Sequence, residues 1–244
     1  MKNRIIRAVA MSVIVAVTAS GEVVNPGFET GDLTGWQTFG LGWRTSGGDD
    51  ARTGSFGIVN DVLTNDVDSF RGVFQDVPVT GGATYHAGVY IRAVNVETSE
   101  SWFELQWLND TGGIIGQLQS AHVTADQPFT QMALSEIVAP LNAVTASVRG
   151  IVYMAMAPGV DADFHIFDDL FLHEQPTLGV ASSDAGTIDV SWTTNAPGYQ
   201  LEALTNLVED AWSVVIAPPV VVGDRYVVSN QAASSVLQYR IRLP

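Results

Sequence analysis

From Glu22 to Glu174 the sequence is a succession of short runs in which apolar or aromatic residues alternate with polar ones, each run closed by Gly, Asn, Asp or Pro. Side chains of a strand point alternately to opposite faces, so a two-residue period describes half-buried β-strands. No stretch carries the 3.6-residue period of an amphipathic helix. The clearest runs are SFGIVND, FRGVFQDVPV, ATYHAGVYIRAV, SWFELQWLND, IIGQLQSAHV, FTQMALSEIVAP, VTASVRGIVYMAM and ADFHIFDDLFLHE. Between the fourth and fifth, LNDTGGII reads as a hairpin loop in which Gly112 and Gly113 supply the positive φ that such loops need. About nine strands in some 150 residues predict an all-β chain folded as a two-sheet sandwich or jelly roll.

HEQPT, His173 to Thr177, reads as a linker, because Pro176 ends one pattern before another begins. Beyond it TIDVSWTT, YQLEALTNL, WSVVIAPP, RYVVSNQ and LQYRIRLP are strands again, with Trp192 and Trp212 as core candidates. The expected division is therefore 1–20, 21–175 and 176–244, the last a small Ig-like or fibronectin III-like β-sandwich. The first segment has the layout of a secretory signal peptide: Lys2, Arg4 and Arg7 precede an apolar run from Ala8 to Val17, and the small residues Thr18 to Gly21 follow. That run is too short for a membrane span, which needs roughly 20 apolar residues. VVIAPPVVV is broken by two prolines, so a secreted protein without a membrane span is expected.

The formal charge of −15 argues against nucleic acid as a partner, since that binding depends on Lys and Arg neutralising phosphates. It favours cations. With no cysteine there are no disulfides, and any link between distant segments must come from core packing or a metal.

VVNPGFETGDLTGW, ARTGSFGI, VFQDVPVTGGATYHAGVYIRA, LQWLNDTGGIIG and FHIFDDLFL occur in the order that resembles the galactose-binding-like jelly-roll carbohydrate-binding modules, the group typified by families four, nine and twenty-two. The resemblance covers about Glu22 to Glu174. The C-terminal part is similar, more weakly, to fibronectin type III-like modules. The resemblance implies a structural calcium ion held by the Gly27 carbonyl, the Glu29 side chain, Asp50, the Thr53 carbonyl and Asp168. Asp49 could replace Asp50, Arg52 could replace Thr53, and Asp169 could replace Asp168 if a bulge shifts the strand. The residues give a reason of their own: alternation places Asp168 with Phe164, Ile166, Leu170 and Leu172, and a carboxylate among apolar neighbours needs a partner. Calcium accepts oxygen ligands in variable geometry, and such a site would fasten the first strand to the last.

A sugar would bind on one sheet face through aromatic rings flanked by polar groups. Alternation puts His86, Tyr90 and Arg92 on the outer face of one strand and Trp102, Glu104 and Gln106 on that of the next, with Gln75 as an addition from a third; side by side they would form one patch. Phe167 and Phe171 also fall outward, and could cover a domain contact. Nucleophilic and metal catalysis find no support: there is no cysteine, no HExxH and no GxSxG, and Asp163 with His165 gives only two metal ligands. The resemblance implies a non-catalytic binding protein for a polysaccharide or glycan, with a possible protein partner for the C-terminal part. The alternatives are a structural or adhesive surface protein, or a small glycan-active enzyme.

Overall fold

The structure, a computed structural model, describes residues 21–62, 68–155, 162–182, 187–194, 199–204, 212–223, 225–231 and 238–242. The leader lies outside the described residues, as does part of the turn before Trp212. Among the described residues no helix is long and apolar enough to cross a membrane. The chain is all-β.

Ten strands lead: β1 (Gln37–Phe39), β2 (Trp43–Gly47), β3 (Phe56–Val62), β4 (Ser69–Pro78), β5 (Thr84–Val94), β6 (Ser99–Leu108), β7 (Ile114–Gln119), β8 (Gln127–Val138), β9 (Thr145–Met154) and β10 (Asp163–Glu174). They form two five-stranded antiparallel sheets of order β1-β4-β9-β6-β7 (the first sheet) and β2-β3-β10-β5-β8 (the second). The core lies between them. Val73, Phe103, Leu105 and Val148 come from the first sheet, and Ile58, Val89, Ile91 and Phe167 from the second, all essentially inaccessible to solvent. The runs quoted above are β3 to β10, whereas β1 and β2 are additional and short, with weak apolar patterns.

The chain after Glu174 forms a four-stranded sheet and a three-stranded one. The first holds β11 (Gly179–Ser182), β12 (Thr187–Thr193), β16 (Arg225–Gln231) and β15 (Val220–Val222); the second holds β14 (Trp212–Val214), β13 (Gln200–Leu204) and β17 (Gln238–Arg242). Val190, Trp192, Leu201 and Val228 make a small separate core, with Trp192 in the expected role.

Two expectations are corrected. β5 and β6, consecutive in sequence, lie in different sheets, so the residues assigned to a single patch occupy two surfaces. A hairpin pairs neighbours, but a jelly roll sends consecutive strands across the sandwich, and alternation alone does not separate the two cases. In β10 the register shifts between Asp168 and Phe171, where Asp169 takes φ +50. Phe167 therefore faces the core with Leu170 and Leu172, not the exterior, and Asp168 faces away from that core set.

At the start of β10 the interior turns polar. Asp163 and His165 are fully buried. The Asp163 carboxylate accepts the backbone N–H groups of Glu97 and Thr98 and the Ser99 hydroxyl. Ser99 Oγ, having donated, accepts from His165 Nε2 at 2.8 Å, which assigns the tautomer and leaves Nδ1 as an unpartnered lone pair. Protonating that nitrogen would bury a charge, so burial, opposed by Asp163, pushes His165 down to about 4. The unfolded chain takes up this proton near pH 6.5 and the folded chain only near 4. The stability is thus fully present above pH 6.5 and lost as pH falls through that window. Urea denaturation at pH 7 and pH 4.5 is expected to show about 2–3 kcal/mol more loss in the parent than in His165→Gln. Equal losses would contradict this assignment.

Candidate functional site

The outer face of the first sheet is built by strand register. Successive cross-strand rungs place Phe70 beside Tyr153 and Glu100; Phe39 beside Gly72, Ile151 and Trp102; Phe74 beside Arg149, Glu104 and Gln119; and Asp76 beside Ser147, Gln106 and Gln117. Four aromatic side chains from β4, β6 and β9, with Phe39 of β1, therefore share a surface with a band of amides and charges. Phe70 packs on Tyr153 at 4.7 Å and edge-on to Trp102 at 6.4 Å, and Trp102 stacks flat on His122 at 4.3 Å. Gly72 makes room for the Phe39 ring, which would lie 2.2 Å from an added Cβ.

The polar band is tightly organised. Glu104 accepts amide N–H groups from Gln106, Gln117 and Gln119, each at 2.9 Å. Arg149 donates to Ser147 Oγ and lies over the Phe74 ring; burial pushes its guanidinium below its usual value, against the pull of Glu104 and Asp76. Trp102, Glu104 and Gln106 do face outward as alternation implied, but their neighbours on the face leave them only 4%, 6% and 6% exposed. Among the described residues, Trp102 Nε1–H and Gln106 Oε1 are buried with no hydrogen-bond partner. A donor and an acceptor left so cost about 1–3 kcal/mol each, and a ligand hydroxyl that displaced the side chains covering them would satisfy them.

Phe70, Phe74, Arg149, Tyr153 and His122 were missed. Counting outward from the core residues Val73 and Val148 gives the first four, so the alternation used for β6 would have found them; His122 lies outside any strand. Gln75 faces inward instead and is spent on backbone, accepting from Val24 N–H and donating to the Val24 and Gly35 carbonyls.

His86, Tyr90 and Arg92 lie on β5, on the outer side of the second sheet. Arg92 donates to the Asp49 carbonyl and Asp50, and the Arg52 guanidinium sits 3.4 Å from the Tyr90 ring centroid. Their partners are thus protein groups.

The residues named for calcium converge around the turn 51–55. Glu29 follows Phe28, whose buried ring packs on Trp36 at 5.2 Å, and Trp36 Nε1 donates to the Asn25 carbonyl. Glu29 accepts backbone N–H groups of Ser55 and Phe56 at 2.8 and 3.1 Å. Asp168, fully buried, accepts those of Arg52 and Thr53 at 2.7 and 3.2 Å, and Asp169 N–H on its other oxygen. Asp169 pairs with the Arg52 guanidinium and accepts the Thr53 hydroxyl. A Cβ on Gly27 would lie 3.4 Å from Asp168 and 3.2 Å from Asp169, and one on Gly54, at φ +63, would overlap the Glu29 carboxylate. Asp50 is turned to Arg92 instead. Burial, opposed by the Thr53 and Arg52 N–H groups, pushes Asp168 up to about 6.

Gly27, Glu29, Thr53 and Asp168 thus form an all-oxygen neighbourhood of the kind a hard cation uses; the two Glu29 oxygens and Asp168 Oδ1 each accept one N–H and keep a lone pair, whereas Asp168 Oδ2 is taken up by two. Among the described residues, however, no three His, Asp or Glu side chains converge as metal ligands. The clamp is built from hydrogen bonds.

No family profile matches the chain, nor does any curated protein. Among solved structures the chain is similar to the enzymatically active domain of tailspike protein 4 of bacteriophage CBA120, with TM-score 0.51 and 13% identity over 64% of this chain and 21% of that one. It also resembles a family 61 carbohydrate-binding module solved with β-1,4-galactotriose, with TM-score 0.48 and 16% identity over 64% of this chain and all of that one. A third is the CBM22-1-GH10 segment of Clostridium thermocellum endo-1,4-β-D-xylanase 10B complexed with xylohexaose, with TM-score 0.46 and 18% identity over 68% and 31%. These likenesses are of fold, and the expected jelly-roll β-sandwich is what the chain forms.

Since Glu29 and Asp168 each satisfy two backbone N–H groups of one turn, Glu29→Ala and Asp168→Ala are each expected to cost about 1–3 kcal/mol or more of unfolding free energy. Asp50→Ala, which breaks one half-buried ion pair at the surface and frees no backbone N–H group, should cost less than about 1 kcal/mol. Guanidinium melts decide it, and an Asp50 variant as damaged as the Asp168 variant would contradict the clamp.

Proposed function

We propose that the chain is a secreted, non-catalytic carbohydrate-binding protein that holds a polysaccharide or glycan on the outer face of the first sheet. The observation that carries this reading is the pair of unpartnered buried groups, Trp102 Nε1–H and Gln106 Oε1, on a face that also bears aromatic rings. Aromatic faces suit the C–H faces of pyranose rings, and fixed donors and acceptors choose among hydroxyls. The locked environment of Glu104, with three amides donating to it, supports holding a hydroxyl rather than cycling a proton. Secretion is supported by the basic and apolar leader. The exposed Ile216 and Val220 to Val222 offer a protein partner an apolar surface on the C-terminal strands.

Calcium belongs to this proposal as a structural ion at the clamp, with Gly27, Glu29, Thr53 and Asp168 as its neighbourhood. Its contribution there is to neutralise the buried Asp168 carboxylate and tie the N-terminal segment to β10. The domain division at residues 175 and 176 is likewise proposed, on the separate cores of the two parts.

Isothermal titration with β-linked and α-linked oligosaccharides is expected to find a ligand whose affinity falls at least tenfold, about 1.4 kcal/mol, in Phe70→Ala and in Trp102→Ala. Circular dichroism should be unchanged, and Tyr90→Ala, on the other sheet, should bind normally. Loss of binding in Tyr90→Ala with retention in Trp102→Ala would place the site on the wrong sheet.

Chelation is expected to lower the melting temperature by several degrees. An ion at a hundredfold excess over its Kd adds about 2.7 kcal/mol, and one kcal/mol moves a domain of this size by roughly 2–4 °C. Glu29→Gln and Asp168→Asn should blunt the response to added calcium, and magnesium should substitute poorly. Melts indifferent to both chelator and calcium would remove the ion while leaving the hydrogen-bonded clamp in place.

A further inference from the structure

The outer side of the second sheet carries a pocket of about 540 Å³ that the glycan face does not use. Its floor is a row of rings. His86 and His173 are directly opposed across β5 and β10, and Phe171 lies over Gly88, where an added Cβ would meet the ring at 2.9 Å. The Phe171 centroid is 5.2 Å from that of His86 and 5.5 Å from that of His173, the latter pair nearly parallel at 16°. The Tyr90 ring forms one wall. Such a volume suits a small molecule or one sugar unit.

The charge of the lining is one-sided. Glu22, Asp169 and Glu174 are the acidic residues of the lining, and no Lys or Arg is among the lining residues. Arg52 pairs with Asp169 and covers the Tyr90 ring, and Glu174, opposite the core residue Tyr85, turns its carboxylate to the Tyr85 hydroxyl, so Glu22 is the carboxylate left to the row of rings. Loss of hydration lowers both imidazoles from their usual value, His86 half-buried and His173 at the exposed rim, the latter also through His86 and against the pull of Glu22, so near neutral pH they add ring surface with little positive charge. An anion finds no counter-charge here. A cation finds ring faces and the Glu22 carboxylate together, the combination that recognises ammonium groups.

We propose that the pocket formed by His86, Phe171 and His173 with Glu22 binds an alkylammonium group. That group could be presented by a choline-type headgroup or by an amino sugar, and the proposal stands independently of the glycan face. The test titrates the full secreted chain by NMR with two matched pairs: choline against its neutral isostere 3,3-dimethylbutan-1-ol, and glucosamine against glucose. At least one cation is expected to bind tenfold or more tightly than its neutral partner, with shifts centred on Phe171 and His173; which pair shows the preference identifies the source. Phe171→Ala and Glu22→Gln should each weaken that cation at least fivefold, and Trp102→Ala, on the other sheet, should leave it unchanged. Glu22 is exposed, so its variant keeps the test valid should Phe171→Ala disturb the fold. Equal or absent binding within both pairs, or a preference unaffected by Glu22→Gln, would overturn the proposal.

Discussion

Everything at the N-terminal end of the sandwich depends on the two carboxylates that grip the turn 51–55 from opposite sides. Glu29 reaches it from the first segment of the chain and Asp168 from the last strand of the second sheet, so two parts of the sequence about 140 residues apart meet through four backbone N–H groups. Without cysteine the chain has no covalent means of making that connection. The segment is fastened to the other sheet as well: Gln75 of β4 bonds Val24 and Gly35, while Leu170 N–H donates to the Pro26 carbonyl. Residues 21–36 therefore act as a strap across one edge of the sandwich, anchored inside by Phe28 and Trp36.

This arrangement explains how the molecule divides its labour. The strap, the clamp and the loop carrying Asp49 and Asp50 engage the outer side of the second sheet, where they occupy Tyr90 and Arg92. On the first sheet the long strands β4, β6 and β9 align aromatic and polar side chains in rungs, with His122 of the segment after β7 stacked on Trp102. Burial of Trp102 and Glu104 there comes from neighbouring side chains on the same face, which fixes their orientation in advance and reduces the ordering a ligand must impose.

The fold was legible because alternation is a local signal: β3 to β10 can each be read from their own residues. Trp102, Glu104 and Gln106 were correctly placed outward for the same reason. Pairing is not local. Whether β5 lies beside β6 or across the sandwich from it depends on the whole topology, and that is where a six-residue patch became two surfaces. Phe167 was misplaced because a single residue, Asp169 at positive φ, shifts the parity of β10, and an Asp-Asp pair does not announce a bulge the way a glycine would. The Asp168 carboxylate was recognisable as needing a partner, but the partners, backbone N–H groups in a distant turn, leave no trace in residue identity.

The central functional claim is that a saccharide meets the first sheet at Trp102. The most direct measurement is the ¹H–¹⁵N spectrum of the indole groups during titration with a bound oligosaccharide, the Trp102 signal being assigned with Trp102→Phe. The chain has six tryptophans, and the Trp102 indole N–H is buried without a partner, whereas that of Trp36 already donates to Asn25 and that of Trp43 to Phe39. The account predicts a saturable downfield movement of the Trp102 signal while those of Trp36 and Trp43 stay in place. Saturable binding that leaves Trp102 unmoved, with shifts gathered instead around Tyr90 and Arg92, would contradict it.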